Sequence, residues 1–280
     1  MSSLDVNKTY KLFIGGAFPR SESGRVYEIK GANKKFLANP ALASRKDLRD
    51  AVVAAKSAQS GWANATAFNR GQILYRIAEM LESRTSQFVE EIVALDGVSI
   101  AEAKREVSEA IDLWVWYAGW ADKISAAAGG TNPIAGPYYN FTIPEPLGII
   151  GVIAEEKQSL LGLVRGLAPV IAAGNTAVVI ASESRPLTAI TLAEVLATSD
   201  LPAGVVNILT GKKSELVPWL ASHMEVDGID ISGADPKSDT EIKVAGSENL
   251  KRIHRFDKEI SPKRILAFME YKTAWHPIGI

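Results

Sequence analysis

The chain has 280 residues, 47% hydrophobic and 22% charged, with 31 Lys and Arg against 32 Asp and Glu for a formal charge of −1. That is enough apolar material for one large or two modest cores, and the balanced charge gives no electrostatic case for nucleic acid or an anionic membrane as partner. Cysteine is absent, which excludes disulfides, thiolate metal sites and a cysteine nucleophile.

The opening MSSLDVNKTYKLF lacks a charged segment followed by an apolar one, and no apolar run reaches membrane-spanning length, so a cytoplasmic protein is expected. In KLFIGGAF, Gly15-Gly16 between apolar residues predicts the tight turn of a hairpin. SRKDLRDAVVAAKSAQSGW reads as a helix with Ser44 as N-cap, Asp47 as its capping-box partner, Leu48, Val52 and Ala55 on one face, and Gly61 as its end. NRGQILYRIAEMLESR predicts a second helix, carrying Ile73, Leu74, Ile77, Ala78 and Leu81 at helical spacing, and a third begins near Ser86 with Phe88, Ile92 and Leu95. A fourth and longest helix runs through IAEAKREVSEAIDLWVWYAGWADKISA. Its four large aromatic residues between 114 and 120 suit a buried core or a subunit interface.

At Gly129-Gly130 the pattern changes. TNPIAGPYYNFTIPEP mixes prolines, glycines, aromatic and β-branched residues, which predicts an extended hairpin at a sheet edge. Strands LGIIGVIA, TAVVIAS, GVVNILT and VDGIDIS then alternate with helices, and continuous apolar strands between helices predict a parallel sheet covered on both faces, a Rossmann-like α/β unit. Pro186 falls in a helical first turn and Gly174-Asn175 is a helix stop. His223, His254 and His276 have no metal-binding spacing, and no metal site is expected.

EPLGIIGVIA, APVIAAGNTAVVIASESRPLTAITLAEVL, LPAGVVNILTG and ASHMEVDGIDISG together resemble the nucleotide-binding half of the aldehyde dehydrogenase superfamily, whose pattern runs from an EPxGxxGxI strand through GNxVVxKPSE and LPxGVxNxxxG to an FTGS strand. KLFIGGAF and the closing RILAFMEYKTAWHP extend the likeness over most of the chain. SLLGLV, TSDLPAGVVNILTG and ENLKRI resemble most the C-terminal, non-catalytic pseudo-domain of the tandem-domain members, the sixteenth family. The resemblance implies a Rossmann-like domain over residues 1–130 and 147–260, and oligomerisation strands over 131–146 and 261–280.

It also shows what has been lost. Active members carry Pro-Trp-Asn-Phe-Pro after the first strand of the sheet, the Asn donating to an oxyanion. Here Glu155, Glu156, Lys157, Gln158 and Ser159 take those places, Lys157 standing for the Asn, and a solvated, locally charge-paired loop is expected. The Cys nucleophile and Glu general base of active members belong to a catalytic domain following the FTGS strand, and after Gly233 only a short stretch separates that strand from the C-terminal strand. No catalytic residues and no catalytic domain are therefore expected. Cofactor binding is eroded as well. The KPSE position reads Ile180, Ala181, Ser182, Glu183; small positions after Gly211 are Lys213 and Val217; the FTGS position reads Ile231, Ser232, Gly233, Ala234, and the glycine closing the motif is Ser238. Glu183, Gly211 and Gly233 are what remains of an NAD site, and the expectation is no cofactor, with residual NAD binding as the departure from it.

The hairpin from Thr131 to Ile143 and the strand around Ala267 to Trp275 match the superfamily's oligomerisation sheet. By β-augmentation they would pair with another chain, either a catalytic aldehyde dehydrogenase or a second copy, and a charge at Phe141 or Phe268 should weaken that assembly. A non-catalytic aldehyde dehydrogenase-like subunit is the leading expectation. A weak dinucleotide-binding sensor and an oxidoreductase with a replaced nucleophile are its rivals.

Overall fold

The computed structural model describes residues 8–279, so the first seven residues of the opening stretch considered above lie outside it. Among the described residues no helix is long and apolar enough to cross a membrane. The chain opens with a turn at Gly15 and Gly16, both at positive φ, closed by an Ile14–Ala17 bridge. The predicted N-terminal hairpin is thus one turn long. A short antiparallel ribbon of β1 (Ile29–Lys30) and β2 (Phe36–Ala38) follows.

Helix α1 (Arg45–Asn64) starts on the expected capping box, with Ser44 Oγ accepting from the Asp47 amide and Asp47 accepting from the Ser44 amide. It runs three residues past Gly61. Trp62, one position on, is buried and donates its indole N–H to the Ile171 carbonyl at 3.0 Å, so its packing carries the helix through the glycine. Helices α2 (Ala67–Ser83), α3 (Thr85–Asp96), α4 (Ile100–Trp120) and the short α5 (Ile124–Ala128) complete the helical region. Trp114 and Tyr117 are fully buried, as aromatic crowding on α4 predicts.

β3 (Gly130–Thr131) and β4 (Tyr138–Pro146) lead into the main sheet, built from β5 (Ile149–Ile153), α6 (Ser159–Ala172), β6 (Thr176–Ile180), α7 (Leu187–Ala197), β7 (Val206–Leu209), α8 (Lys213–Ser222), β8 (Gly228–Asp230), α9 (Asp239–Ser247) and β9 (Arg252–His254). The five strands are parallel in the order β7-β6-β5-β8-β9. Strand residues alternate between two cores, as a pleated sheet requires. Ala177 and Val179 of β6 face the core shared with α2, α3, α4, α6 and α7, and Val178 and Ile180 face the one under α1 and α8.

After α10 (Lys263–Leu266) the chain closes with β10 (Met269–Pro277), which pairs antiparallel with β4 along its whole length, from Met269 opposite Pro146 to Pro277 opposite Tyr138. β3 adds two pairs on the other side of β4. The C-terminal strand therefore begins two residues later than expected, and Phe268 is not part of it. That ring is buried against Gly228, His254 and Phe256, so the expectation that it serves assembly is corrected: Phe268 is a core residue.

Candidate functional site

In β7-β6-β5-β8-β9 the chain winds outward one way from β5 and the other way from β8. A switch point of this kind leaves a crevice beyond the strand C-termini, where doubly wound folds hold ligands. The crevice opens into a groove of about 1180 Å³ between α8 and α9, bordered by the corner after β5, the loop after β6 and the loop after β8.

The corner Glu155-Glu156-Lys157-Gln158 is not a solvated loop. Glu155 accepts from Arg165 Nη1 at 2.7 Å, with both side chains largely buried. Glu156 reaches across to the loop after β6, accepting from the Glu183 amide at 3.0 Å, the Ser184 amide at 3.1 Å and the hydroxyls of Ser182 and Ser184. It also pairs with Lys213 Nζ at 2.5 Å. Burial alone would raise its pKa, but the Lys213 ammonium and these donors overrule that and hold it at about 2. Only Lys157 is exposed, and it takes no hydrogen bond or ion pair among the described residues. The expected charge pairing exists, but with residues from other elements and not with Lys157, because the sharp turn at Gln158, whose φ is +53°, aims both carboxylates inward.

Behind the corner lies a residue that sequence spacing did not single out. Glu106 of α4 is buried and accepts from the amides of Leu160 and Leu161, capping α6 through space where Gln158 offers no side-chain cap. Burial raises the Glu106 pKa, and the two amides pull it back in part. Below the crevice, Arg264 of α10 pairs with Asp230 at 3.3 Å, both almost wholly buried, and donates to the Arg165 carbonyl at 3.3 Å. Glu155, Arg165, Arg264 and Asp230 thus tie the ends of β5 and β8 to the last turn of chain before β10.

The three residues named as remnants of a cofactor site all lie near these strand ends, each with a packing or capping task. Glu183 lines the groove and accepts from the Lys213 amide at 3.0 Å, capping α8. Gly233 lines it too, but a Cβ there would collide with the Ala154 carbonyl, so glycine is needed for β5 and β8 to meet. Gly211 sits at φ +153° against Leu42, Ala43 and Leu216, not on the groove. Ile180, in place of the ribose lysine, is fully buried in the core under α1 and α8. Lys213, the first residue of α8, bends into the crevice and donates its Nζ to the Ala154 carbonyl at 2.5 Å and the Gly233 carbonyl at 2.8 Å, besides pairing with Glu156.

The model of the aldehyde dehydrogenase family matches residues 18–255. The chain belongs to the aldehyde dehydrogenase family. An aldehyde dehydrogenase of Aspergillus niger is 34% identical over 245 residues, covering 86% of this chain and 48% of its own length. The mouse cytosolic 10-formyltetrahydrofolate dehydrogenase is 33% identical over 262 residues, 90% of this chain and 29% of that one. Among solved structures, a putative aldehyde dehydrogenase from Burkholderia cenocepacia superposes with a TM-score of 0.84 at 28% identity, over 88% of this chain and 50% of that one. The chain thus spans about half the length of the aldehyde dehydrogenases it matches, and less of the larger relative.

An aldehyde dehydrogenase fold implies a dinucleotide at the switch point, and the residues here do not fit one. Its diphosphate needs free backbone N–H groups at helix N-termini and room beside the strand ends. The Leu160 and Leu161 amides of α6 are taken by Glu106 and the first α8 amide by Glu183, while the room beside Ala154 and Gly233 is taken by the Lys213 side chain.

Proposed function

We propose that this chain is a non-catalytic aldehyde dehydrogenase-like subunit that assembles through the β4–β10 ribbon with a catalytic NAD(P)-dependent aldehyde dehydrogenase, or with a second copy of itself. The observation that carries the reading is the ribbon. β10 is the edge strand of its sheet, nine residues long, and Tyr271 and Trp275 on it and Tyr138, Tyr139 and Ile143 on β4 are exposed. A long, aromatic-rich edge with unpaired backbone groups favours pairing with another chain, and left bare it invites aggregation.

Two features support the non-catalytic half of the reading. The sequence has no cysteine to act as a nucleophile, and the carboxylates nearest the strand ends, Glu106, Glu155, Glu156 and Glu183, are already committed to amides and cations, so none of these four is poised as a general base. The sensor alternative loses support from the same carboxylates, which occupy donors a dinucleotide would use.

The test is co-expression of this chain with a full-length aldehyde dehydrogenase from the same source, followed by light scattering on the purified material. Co-elution with the enzyme, or a stable homo-oligomer, supports the proposal. A monomer that ignores the enzyme, or aldehyde oxidation by this chain alone, overturns it.

A further inference from the structure

We propose that a second groove, on the side of α8 turned away from α9, binds an aromatic carboxylate, with Arg45 taking the carboxylate and Trp219 the ring. This groove holds about 560 Å³ between the start of α1 and the end of α8, a volume in the range of small-ligand sites. A helix turns by about 100° per residue, which sets Trp219 nearly opposite Val217 and Ala221. The two grooves flanking α8 therefore share no lining residue.

The guanidinium of Arg45 lies 3.8 Å from the centre of the Trp219 ring. That contact orients the side chain through the ring face and spends none of its five N–H donors. The Arg45 side chain has no hydrogen bond or ion pair among the described residues, so its fork is open to both oxygens of a carboxylate at once. The other charges on the lining are already occupied. Lys46 lies 3.8 Å from Glu22, Glu22 also accepts from the Ser44 hydroxyl at 3.0 Å, and Arg49 pairs with its neighbour Asp50 at 3.2 Å. Arg45, Lys46 and Arg49 against Glu22 leave the groove positive.

The rest of the lining selects among anions. Ser44 Oγ already accepts from the Lys46 and Asp47 amides at 3.2 and 3.3 Å, so the backbone donors that a phosphate would need at this helix start are spent. His223 Nδ1 accepts from the Glu225 amide at 3.3 Å, which puts the proton of the neutral ring on Nε2. Burial and the Lys251 charge lower the His223 pKa, so the ring stays neutral at pH 7 and adds a donor without a charge. Beside Arg45, Trp219 remains 41% exposed, and Leu48 adds to the apolar lining. A bare carboxylate would leave that indole in water, whereas one joined to a ring covers it.

The experiment is a ligand-observed NMR titration of the full chain, in whatever assembly it purifies, with four probes: benzoate, benzamide, acetate and inorganic phosphate. Benzoate should bind saturably, and the uncharged ring, the ringless carboxylate and the phosphate each at least about tenfold more weakly. Arg45→Gln and Trp219→Leu should each weaken benzoate at least about fivefold, and Arg45→Lys, which keeps the charge but not the fork, by nearly as much. The proposal is overturned if benzoate does not saturate, if any other probe equals it, or if all three variants bind it as the parent does. Parent-like binding by Arg45→Lys alone overturns it too, since the groove would then be only a patch of positive charge. Both side chains are exposed, and circular dichroism checks that the variants keep the fold. Should a variant fail to fold, the four probes on the parent chain still decide.

Discussion

Gly233 and Glu156 work on opposite sides of one crevice, and each predicts a distinct measurement. At Gly233 any Cβ overlaps the Ala154 carbonyl, and backbone on β5 cannot yield without disturbing the ladder to β6. Gly233→Ala should therefore cost about 3 kcal/mol, the upper end for overpacking, read as a lower urea midpoint at unchanged slope. Glu156 has a folded pKa of about 2 against an ordinary value of 4.5, so it binds fewer protons folded than unfolded in that range. Its stabilisation is complete above about pH 4.5 and is lost as pH falls toward 2. Glu156→Gln should flatten that acid limb of the stability profile, and an unaltered limb would show that the pairing with Lys213 contributes nothing. Little of this was legible in the sequence. The loss of the family's Asn, ribose lysine and glycines could be read residue by residue, because those motifs are local. Glu106 stands on the buried stripe of α4, three residues after Ala103 and four before Ala110, so a charge in that stripe was a visible signal, but its partners were not, since it meets α6 from a helix some fifty residues away. Lys213 was visible only as an oversized residue at a small position, and the three acceptors that hold it come from two separate strand ends.

The elements divide by burial in how clearly they were written. β5, β6 and β7 are apolar runs buried on both faces, and the helices between them are apolar nearly all round, so strands, helices and a parallel sheet could be read, though not the strand order. β1, β2 and β9 could not, being two or three residues long at sheet margins, where no period can declare itself. The ribbon shows the same limit at one position. Phe268 precedes β10 and alternation would assign it to the strand, yet the α10 turn swings its ring under Gly228 and beside Phe256. Phe268→Ala should thus lower stability by about 3–5 kcal/mol, the cost of truncating a buried aromatic, with no specific effect on particle size at temperatures where the fold persists. Phe141→Lys is its converse. Phe141 lies on β4, half-buried with its ring tilted against Tyr139, so the charge should leave the melting of the single chain little changed while reducing the assembled fraction seen by light scattering. If the two variants exchanged these outcomes, the division between core and ribbon drawn here would fail.

At the scale of the whole molecule, a buried pair adds to the backbone bonds that join the ribbon to the parallel sheet. Arg264 sits between β9 and β10, and its guanidinium reaches Asp230 at the end of β8, the Arg165 carbonyl in α6 and the face of Phe256. The segment that leads to the ribbon is thereby clamped onto the parallel sheet. Arg264→Leu would leave Asp230 buried and unpaired, at a cost of about 3–5 kcal/mol. The same clamp bears on assembly. If the ribbon pairs across chains, separating them exposes a nine-residue edge on an element rigidly tied to the core, so dissociation and unfolding should occur together. Mass action then makes the melting temperature depend on protein concentration, rising by about 1–3 °C for each tenfold increase, whereas a monomer's does not move. Arg264→Leu should uncouple the two events: the variant would melt earlier and its dependence on concentration would weaken, since the ribbon could detach while still paired. A parent chain whose melting temperature is constant across a hundredfold range of concentration would refute self-assembly through β10, and leave pairing with a separate aldehyde dehydrogenase as the form of the proposal to be tested.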